Sequence, residues 1–224
     1  MRQAIVDVVN LIDSSTQDLG GFSPADAERR LLAADPRAVL EINGSFALVA
    51  REGIEVRLAR SLDRPLRYFL AKQADGPLLI VADRIDSIAS WLGEHGYGDQ
   101  FHPSYTRMVP AHTITTLRLL GCPDPSPTYR RFLEPAPAFL PTDLDAIGER
   151  YVGALLHEIE RWVERQERRA PIGVLLSGGV DSGSVLLGLY HALQARGESP
   201  ARLKAFTLRV DGGGADARQA REFL

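Results

Sequence analysis

The sequence predicts two domains of different fold class, an α+β domain followed by an α/β domain. Three observations lead to this prediction. Apolar and polar residues alternate along several short runs between residues 42 and 119, as in the strands of a mainly antiparallel sheet. Six prolines then fall within residues 121–141, a composition typical of an extended linker. Beyond Pro171 the order becomes strand, glycine-rich turn, helix and strand, which predicts a parallel βαβ unit.

The N-terminal domain, residues 1–121, is predicted to begin with a turn-rich break and a short helix. Ser23 can cap this helix, Pro24 suits its first position, and Pro36 is expected to close it. Two alternating runs on either side of Glu52-Gly53 predict strands joined by a tight turn. The remaining elements predicted here are strands at Leu66–Ala71, Leu78–Ala82 and Thr113–Leu119 and a short helix at Asp86–Leu92.

The C-terminal domain, residues 142–224, follows a proline-rich linker assigned to residues 122–141. Thr142 is a plausible cap for a long amphipathic helix, because apolar residues recur after it at three- and four-residue spacing. The βαβ unit after this helix is predicted as strand Gly173–Leu176, helix Ser184–Arg196 and strand Leu203–Val210.

Composition narrows the classes of function. The 224 residues carry a formal net charge of −3, which gives no electrostatic reason to expect nucleic acid or an acidic membrane surface as a partner. The single cysteine, Cys122, excludes an intrachain disulfide and suits a reducing compartment. The first residues lack a signal-peptide layout, and no stretch has the ~18 apolar residues that a membrane span needs. We therefore expect a cytoplasmic protein.

The turn between the first strand and helix of the βαβ unit carries the most specific motif. It reads Leu176-Ser177-Gly178-Gly179-Val180-Asp181-Ser182. The glycines let the backbone approach a ligand closely, and the two hydroxyls lie beside the free N–H groups that begin the helix. The helix dipole adds partial positive charge, so the natural occupant is an anion. Asp181 makes sense at such a site if a divalent metal bridges it to phosphate oxygens.

The run PIGVLLSGGVDSGSVLLGL resembles the pyrophosphate loop of the N-type ATP pyrophosphatase superfamily, in particular its asparagine synthetase branch. The resemblance implies that Ser177, Gly178, Gly179, Asp181 and Ser182 hold the pyrophosphate of ATP, with Asp181 helping to hold Mg²⁺. It also implies that Leu176 lines the nucleotide pocket. Leu208 falls where the family has an apolar residue against adenine, and a plain core position in the strand is an equally good interpretation of it.

Upstream segments are similar to the later part of the family's N-terminal glutaminase domain. These are INGSFALVA, the run from Arg60 to Tyr68, and MVPAHTITTL. The resemblance implies a partial N-terminal-nucleophile sheet. However, Arg2 stands where that glutaminase has its nucleophilic cysteine, and residues 1–37 have no counterpart of the glutamine-binding part. We therefore expect a degenerate domain that does not hydrolyse glutamine.

The resemblance implies an AMP-forming amide ligase, in which ATP adenylates an amino-acid-like carboxylate and ammonia or an amine then displaces AMP. We assign no catalytic residue within this chain, because the family's lysine lies further along than Leu224. The chain is therefore expected to need residues from beyond Leu224, a second polypeptide or a homo-oligomer. A non-catalytic nucleotide-binding remnant or scaffold is a rival hypothesis, and so is another superfamily member such as a β-lactam-forming synthetase.

Overall fold

The computed structural model describes residue 5 and residues 7–120, 126–135, 142–208 and 215–224. The chain divides into two compact units, Met1–Ala136 and Pro137–Leu224. Cys122 lies outside the described residues. Within the described part, no helix is both long and apolar enough to cross a membrane.

The first unit contains two four-stranded sheets where the sequence predicted one mainly antiparallel sheet. The first sheet has the order β1 (Asp7–Asn10), β5 (Leu78–Ala82), β4 (Arg67–Ala71), β6 (Arg107–Met108), and only its β1–β5 pair is parallel. The second has the order β2 (Ala47–Glu52), β3 (Glu55–Arg60), β7 (Thr113–Arg118), β8 (Thr128–Arg131) and is antiparallel throughout. The predicted strands form, but local alternation does not specify which strands pair.

Side-chain alternation along these strands produces four layers. Val49 of β2 and Leu79 of β5 share one buried cluster between the two sheets. The neighbouring Leu48 points to the opposite face, where it packs with helices α1 (Pro24–Leu32) and α2 (Pro36–Leu40). Ile80 likewise faces helix α3 (Ile85–Glu94). The unit is thus a helical layer, two sheets and a second helical layer.

Pro36 begins a helix instead of closing one. The helix that Ser23 caps ends at Leu32, and the Ser23 hydroxyl accepts a hydrogen bond from Asp26 N–H at 3.1 Å, as predicted. The Asp35 side chain caps α2 by accepting from Arg37 N–H at 3.0 Å. Proline lacks only an N–H that the first helical turn leaves unpaired, so it suits this position.

Part of the predicted linker belongs to the first unit. Strand β8 lies within residues 122–141 and pairs with β7. The next residue, Phe132, is buried and its ring centroid lies 6.0 Å from that of Phe46. The run 128–134 contains no proline. Its N–H groups are therefore free to join a sheet, which explains why the extended-linker prediction fails here.

The second unit contains the predicted βαβ unit. Its elements are α4 (Leu144–Glu164), β9 (Ile172–Leu175), α5 (Val180–Ala195), β10 (Leu203–Phe206) and α6 (Ala215–Phe223). Strands β9 and β10 are parallel, as predicted. Asp143, not Thr142, caps α4, since its side chain accepts from Asp145 N–H at 2.9 Å. Strand β10 ends four residues before the predicted Val210, which lies outside the described residues.

One face of this two-stranded sheet is covered and the other is open. Val174 and Leu176 of the β9 segment pack with α4 and α5 in one buried cluster. Leu175, which points the other way, is 83% exposed, and Phe206 of β10 is 57% exposed. At the far end of the sheet the Arg202 guanidinium donates to the Ala170 carbonyl at 2.9 Å. This contact anchors the chain immediately before β9.

Candidate functional site

The strand, turn and helix of the βαβ unit place the motif 177–182 at the carboxyl end of β9 and the start of α5. Helix α5 begins at Val180, four residues earlier than predicted, because Gly179 is extended (φ −77°, ψ 158°) and serves as the N-cap. The motif therefore supplies both the turn and the first helical turn. The first hydrogen bond of the helix runs from Gly183 N–H to the Gly179 carbonyl at 3.0 Å.

The two serine hydroxyls of the motif lie together. Their Oγ atoms are 3.1 Å apart, and Ser177 N–H donates to the Ser182 hydroxyl at 3.2 Å. Ser182 in turn donates to the Gly179 carbonyl at 3.0 Å, and Gly179 N–H donates to the Ser177 hydroxyl at 3.3 Å. The sequence predicted that these residues converge, and the geometry brings them together across a closed turn.

Backbone N–H groups at the start of α5 are available to a ligand. Gly179 has no side chain with which to cap the helix, and no side-chain hydrogen bond caps this end. Val180 and Asp181 are exposed and lie in the first turn, where an α-helix has no carbonyl partner for its N–H groups. The positive end of the helix dipole lies at the same place. These N–H groups form a donor set that suits an anion such as phosphate, and the two hydroxyls lie beside them.

Gly178 has a packing role that the sequence did not reveal. Its φ angle is +80°, a left-handed conformation that side chains rarely adopt. A Cβ atom there would lie 2.7 Å from Gln219 Cβ and 2.8 Å from the Ala220 nitrogen of α6. The Cβ atom of a residue at 179 would meet only the Ser177 hydroxyl, at 3.4 Å. The packing of α6 thus requires glycine at position 178. The absence of a side chain at Gly179 leaves open space on the exposed side of the loop.

Asp181 lies on an open groove beside the loop. The groove has a volume of about 590 Å³, and Trp162, Leu175 and Val185 form apolar parts of its wall. Among the described residues, no group of three or more His, Cys, Asp or Glu side chains is placed to hold a metal ion. Mg²⁺ at Asp181 would therefore draw most of its ligands from phosphate oxygens and water, which is how this ion commonly binds with nucleotides.

The structure separates the two predicted leucines. Leu176 is only 1% exposed and lies in the core with α4 and α5, so it presents almost no surface to a ligand. Leu208 is 85% exposed and follows the end of β10, so its alternative interpretation as a core residue is wrong. Sequence reasoning missed Thr207, whose hydroxyl donates to the Leu176 carbonyl at 2.8 Å and ties the end of β10 to the start of the loop.

The loop lies in a segment of the chain that matches a known protein family. Residues 154–224 match the asparagine synthase family. The matched segment contains the loop, both parallel strands and α6, and it supports an ATP-dependent amide ligase family for this part of the chain. It does not reach the first unit, whose similarity to a glutaminase domain stays a prediction. A search of curated proteins gave no match to the chain.

Proposed function

We propose that the protein is an ATP-dependent, AMP-forming amide ligase of the asparagine synthetase type. Its substrates would be ATP, an amino-acid-like carboxylate, and ammonia or another amine. The observation that carries the proposal is the clustering of two hydroxyls and free helix N–H groups at residues 177–182, inside the segment that matches the asparagine synthase family.

The loop's donors and its one carboxylate have different parts in this proposal. The Ser177 and Ser182 hydroxyls and the first-turn N–H groups of α5 would bind the pyrophosphate part of ATP. Asp181 would hold Mg²⁺ against the phosphate oxygens, and the ion would offset negative charge as pyrophosphate leaves. Leu208, which is exposed beyond β10, would contact the adenine.

The loop lacks a cation of its own. Residues 176–182 contain no lysine or arginine, although expulsion of pyrophosphate develops negative charge that enzymes meet with fixed cations and metal. We therefore propose that a further polypeptide segment or a partner supplies a basic residue. The nitrogen source in this proposal is ammonia or another amine.

Exchange of label between ATP and pyrophosphate tests adenylation directly. The protein is purified from its own source, so that any partner stays bound, and is assayed with a panel of amino-acid carboxylates. We expect exchange that depends on one class of carboxylate and is lost in Asp181→Ala. The control is Asp145→Ala, which removes the same charge from the first turn of α4. The recombinant chain alone should show no exchange, because its loop has no cation.

Three outcomes would contradict parts of this account. ATP binding without exchange for any carboxylate would favour a nucleotide-binding scaffold over a ligase. Exchange by the recombinant chain alone would show that no partner cation is needed. Release of glutamate from glutamine above a protein-free control would contradict the absence of glutaminase activity.

A further inference from the structure

A cavity of about 320 Å³ lies in the first unit, at the edge of the second sheet. It belongs to a different unit from the predicted nucleotide site and plays no part in the proposed function. One wall is strand β2 at Ala47 and Val49, and another is apolar, with Leu19 and Phe22. Gln17 adds a polar group to the lining. Both an open strand edge and polar side chains are therefore present in one cavity.

The hydrogen-bonding register of β2 shows which of its residues face this edge. Ser61 N–H donates to the Phe46 carbonyl at 2.9 Å, and β2 pairs with β3 in antiparallel register. In such a pair, alternate residues direct their N–H and C=O groups to the partner strand. Phe46, Leu48 and Ala50 therefore bond to β3. Ala47 and Val49 direct their backbone groups away from β3, to the side on which β2 has no neighbouring strand among the described residues.

The chain itself begins to pair with this edge and then leaves it. Asp18 N–H donates to the Ser45 carbonyl at 2.8 Å, on the same side of the strand as Ala47. The approach is close, since a Cβ atom at Gly44 would lie 2.1 Å from the Asp18 carbonyl oxygen. The chain then turns away towards α1. The next two outward positions, Ala47 and Val49, are thus left against the cavity without a bond to any described residue.

These unpaired groups are buried. Ala47 is 0% and Val49 9% exposed, so water satisfies their backbone groups poorly. The Oε1 atom of Gln17 is also buried and has no hydrogen-bond partner among the described residues. A buried polar group without a partner destabilises the folded chain. The unpaired groups of Ala47, Val49 and Gln17 together suit a ligand that carries both N–H donors and C=O acceptors.

We propose that this cavity binds an extended peptide segment of another polypeptide, which adds to the edge of β2. The peptide would pair with Ala47 and Val49 and continue the ladder that Asp18 begins. This mode of recognition draws affinity from main-chain hydrogen bonds and specificity from pockets for alternate side chains. Leu19 and Phe22 favour an apolar side chain in the peptide, and a peptide N–H would donate to Gln17 Oε1.

The test uses a library of acetylated, amidated tetrapeptides with apolar residues at alternate positions. Backbone amide resonances of the full chain are followed by NMR during titration. In the free chain the Ala47 and Val49 amides should exchange with solvent faster than those of Leu48 and Ala50. We expect a binding peptide to shift and protect the Ala47 and Val49 amides. A version of that peptide with N-methylated backbone should not bind.

Two substitutions separate binding from folding. Val49→Pro deletes an outward N–H but keeps the ladder to β3, so we expect peptide affinity to fall about two- to tenfold. Arg51→Pro is the matched control. Arg51 is the next residue of β2 whose backbone groups point away from β3, but it does not line the cavity, so this change should leave peptide affinity unchanged. Gln17→Leu should raise the melting temperature, because it removes an unpaired buried acceptor, and yet weaken peptide binding.

The proposal is overturned if no peptide in the library shifts the Ala47 and Val49 amides, which would leave a cavity that holds only water. It is also overturned if those amides exchange as slowly as their neighbours in the free chain. Equal affinities of the Val49→Pro and Arg51→Pro variants would show that a bound peptide does not pair with this edge.

Discussion

At Gly178 the backbone φ angle is +80°, and the neighbouring Gly179 is extended at −77°. The sequence presents both as equivalent members of one glycine pair, and the family resemblance assigned both to the phosphate. The structure distinguishes them because α6, about forty residues later in the chain, packs against the first. Similarly, strict alternation from Ile172 would have predicted that Leu176 faces the core, although a resemblance suggested the nucleotide pocket.

Alanine at these two glycines should affect stability very differently. Gly178→Ala places a Cβ atom in a left-handed conformation and within 2.8 Å of the α6 backbone. We expect a loss of at least about 2 kcal/mol in the free energy of unfolding of the second unit. Gly179→Ala meets only a hydroxyl at 3.4 Å and changes an N-cap, so it should cost less than about 1 kcal/mol. If urea unfolding showed the same loss of unfolding free energy for both variants, the packing of α6 against Gly178 would be contradicted.

At the scale of elements, the local sequence pattern predicted the helices and strands far better than it predicted which strands pair. Strand β5 was predicted with its observed bounds, because the turn residues Asp75-Gly76-Pro77 directly precede an unbroken apolar run. The two sheets of the first unit could not be predicted, since pairing depends on contacts distant in sequence. Strand β8 was missed because flanking prolines dominated the composition of its segment. Helix α5 begins earlier than predicted because Gly179 can serve as the cap.

The packing of α4 against α5 depends on a second glycine. A Cβ atom at Gly188 would lie 2.5 Å from Ile159 Cδ1 and 3.5 Å from Leu156 Cδ2, so the two helices approach closely there. Gly188→Leu should therefore destabilise the unit by about 1–3 kcal/mol through overpacking. Gly153→Leu is the matched control, because its Cβ atom would meet nothing within 4 Å and leucine favours the helix. This control should be neutral or stabilising.

Urea unfolding followed by Trp162 fluorescence measures both variants. A Trp91→Phe background removes the tryptophan of α3, so that the signal reports the second unit. If Gly188→Leu were as stable as Gly153→Leu, the close contact between α4 and α5 would not exist.

At the scale of the whole molecule, one face of the β9–β10 sheet is open. A two-stranded parallel sheet is too small to bury both of its faces, and parallel sheets are usually covered on each side. Leu175 and Phe206 are exposed accordingly. The open edge of β2 could not be predicted in this way, because it follows from the register and from the path of residues 17–20. Among the described residues, each unit thus has a strand edge or sheet face that no neighbouring strand or helix covers.

The most direct test of the central claim is a calorimetric titration with Mg²⁺ and ATP. Wild-type chain is compared with Asp181→Ala, with Gly179→Val, which should obstruct phosphate access, and with the control Asp145→Ala. Loss of a charge-assisted contact typically costs about 1.5–3 kcal/mol, so we expect Asp181→Ala to weaken metal-dependent binding about ten- to a hundredfold. The Asp145→Ala control should bind as tightly as wild type. The same affinity in all four proteins would show that residues 177–182 are not the ATP site.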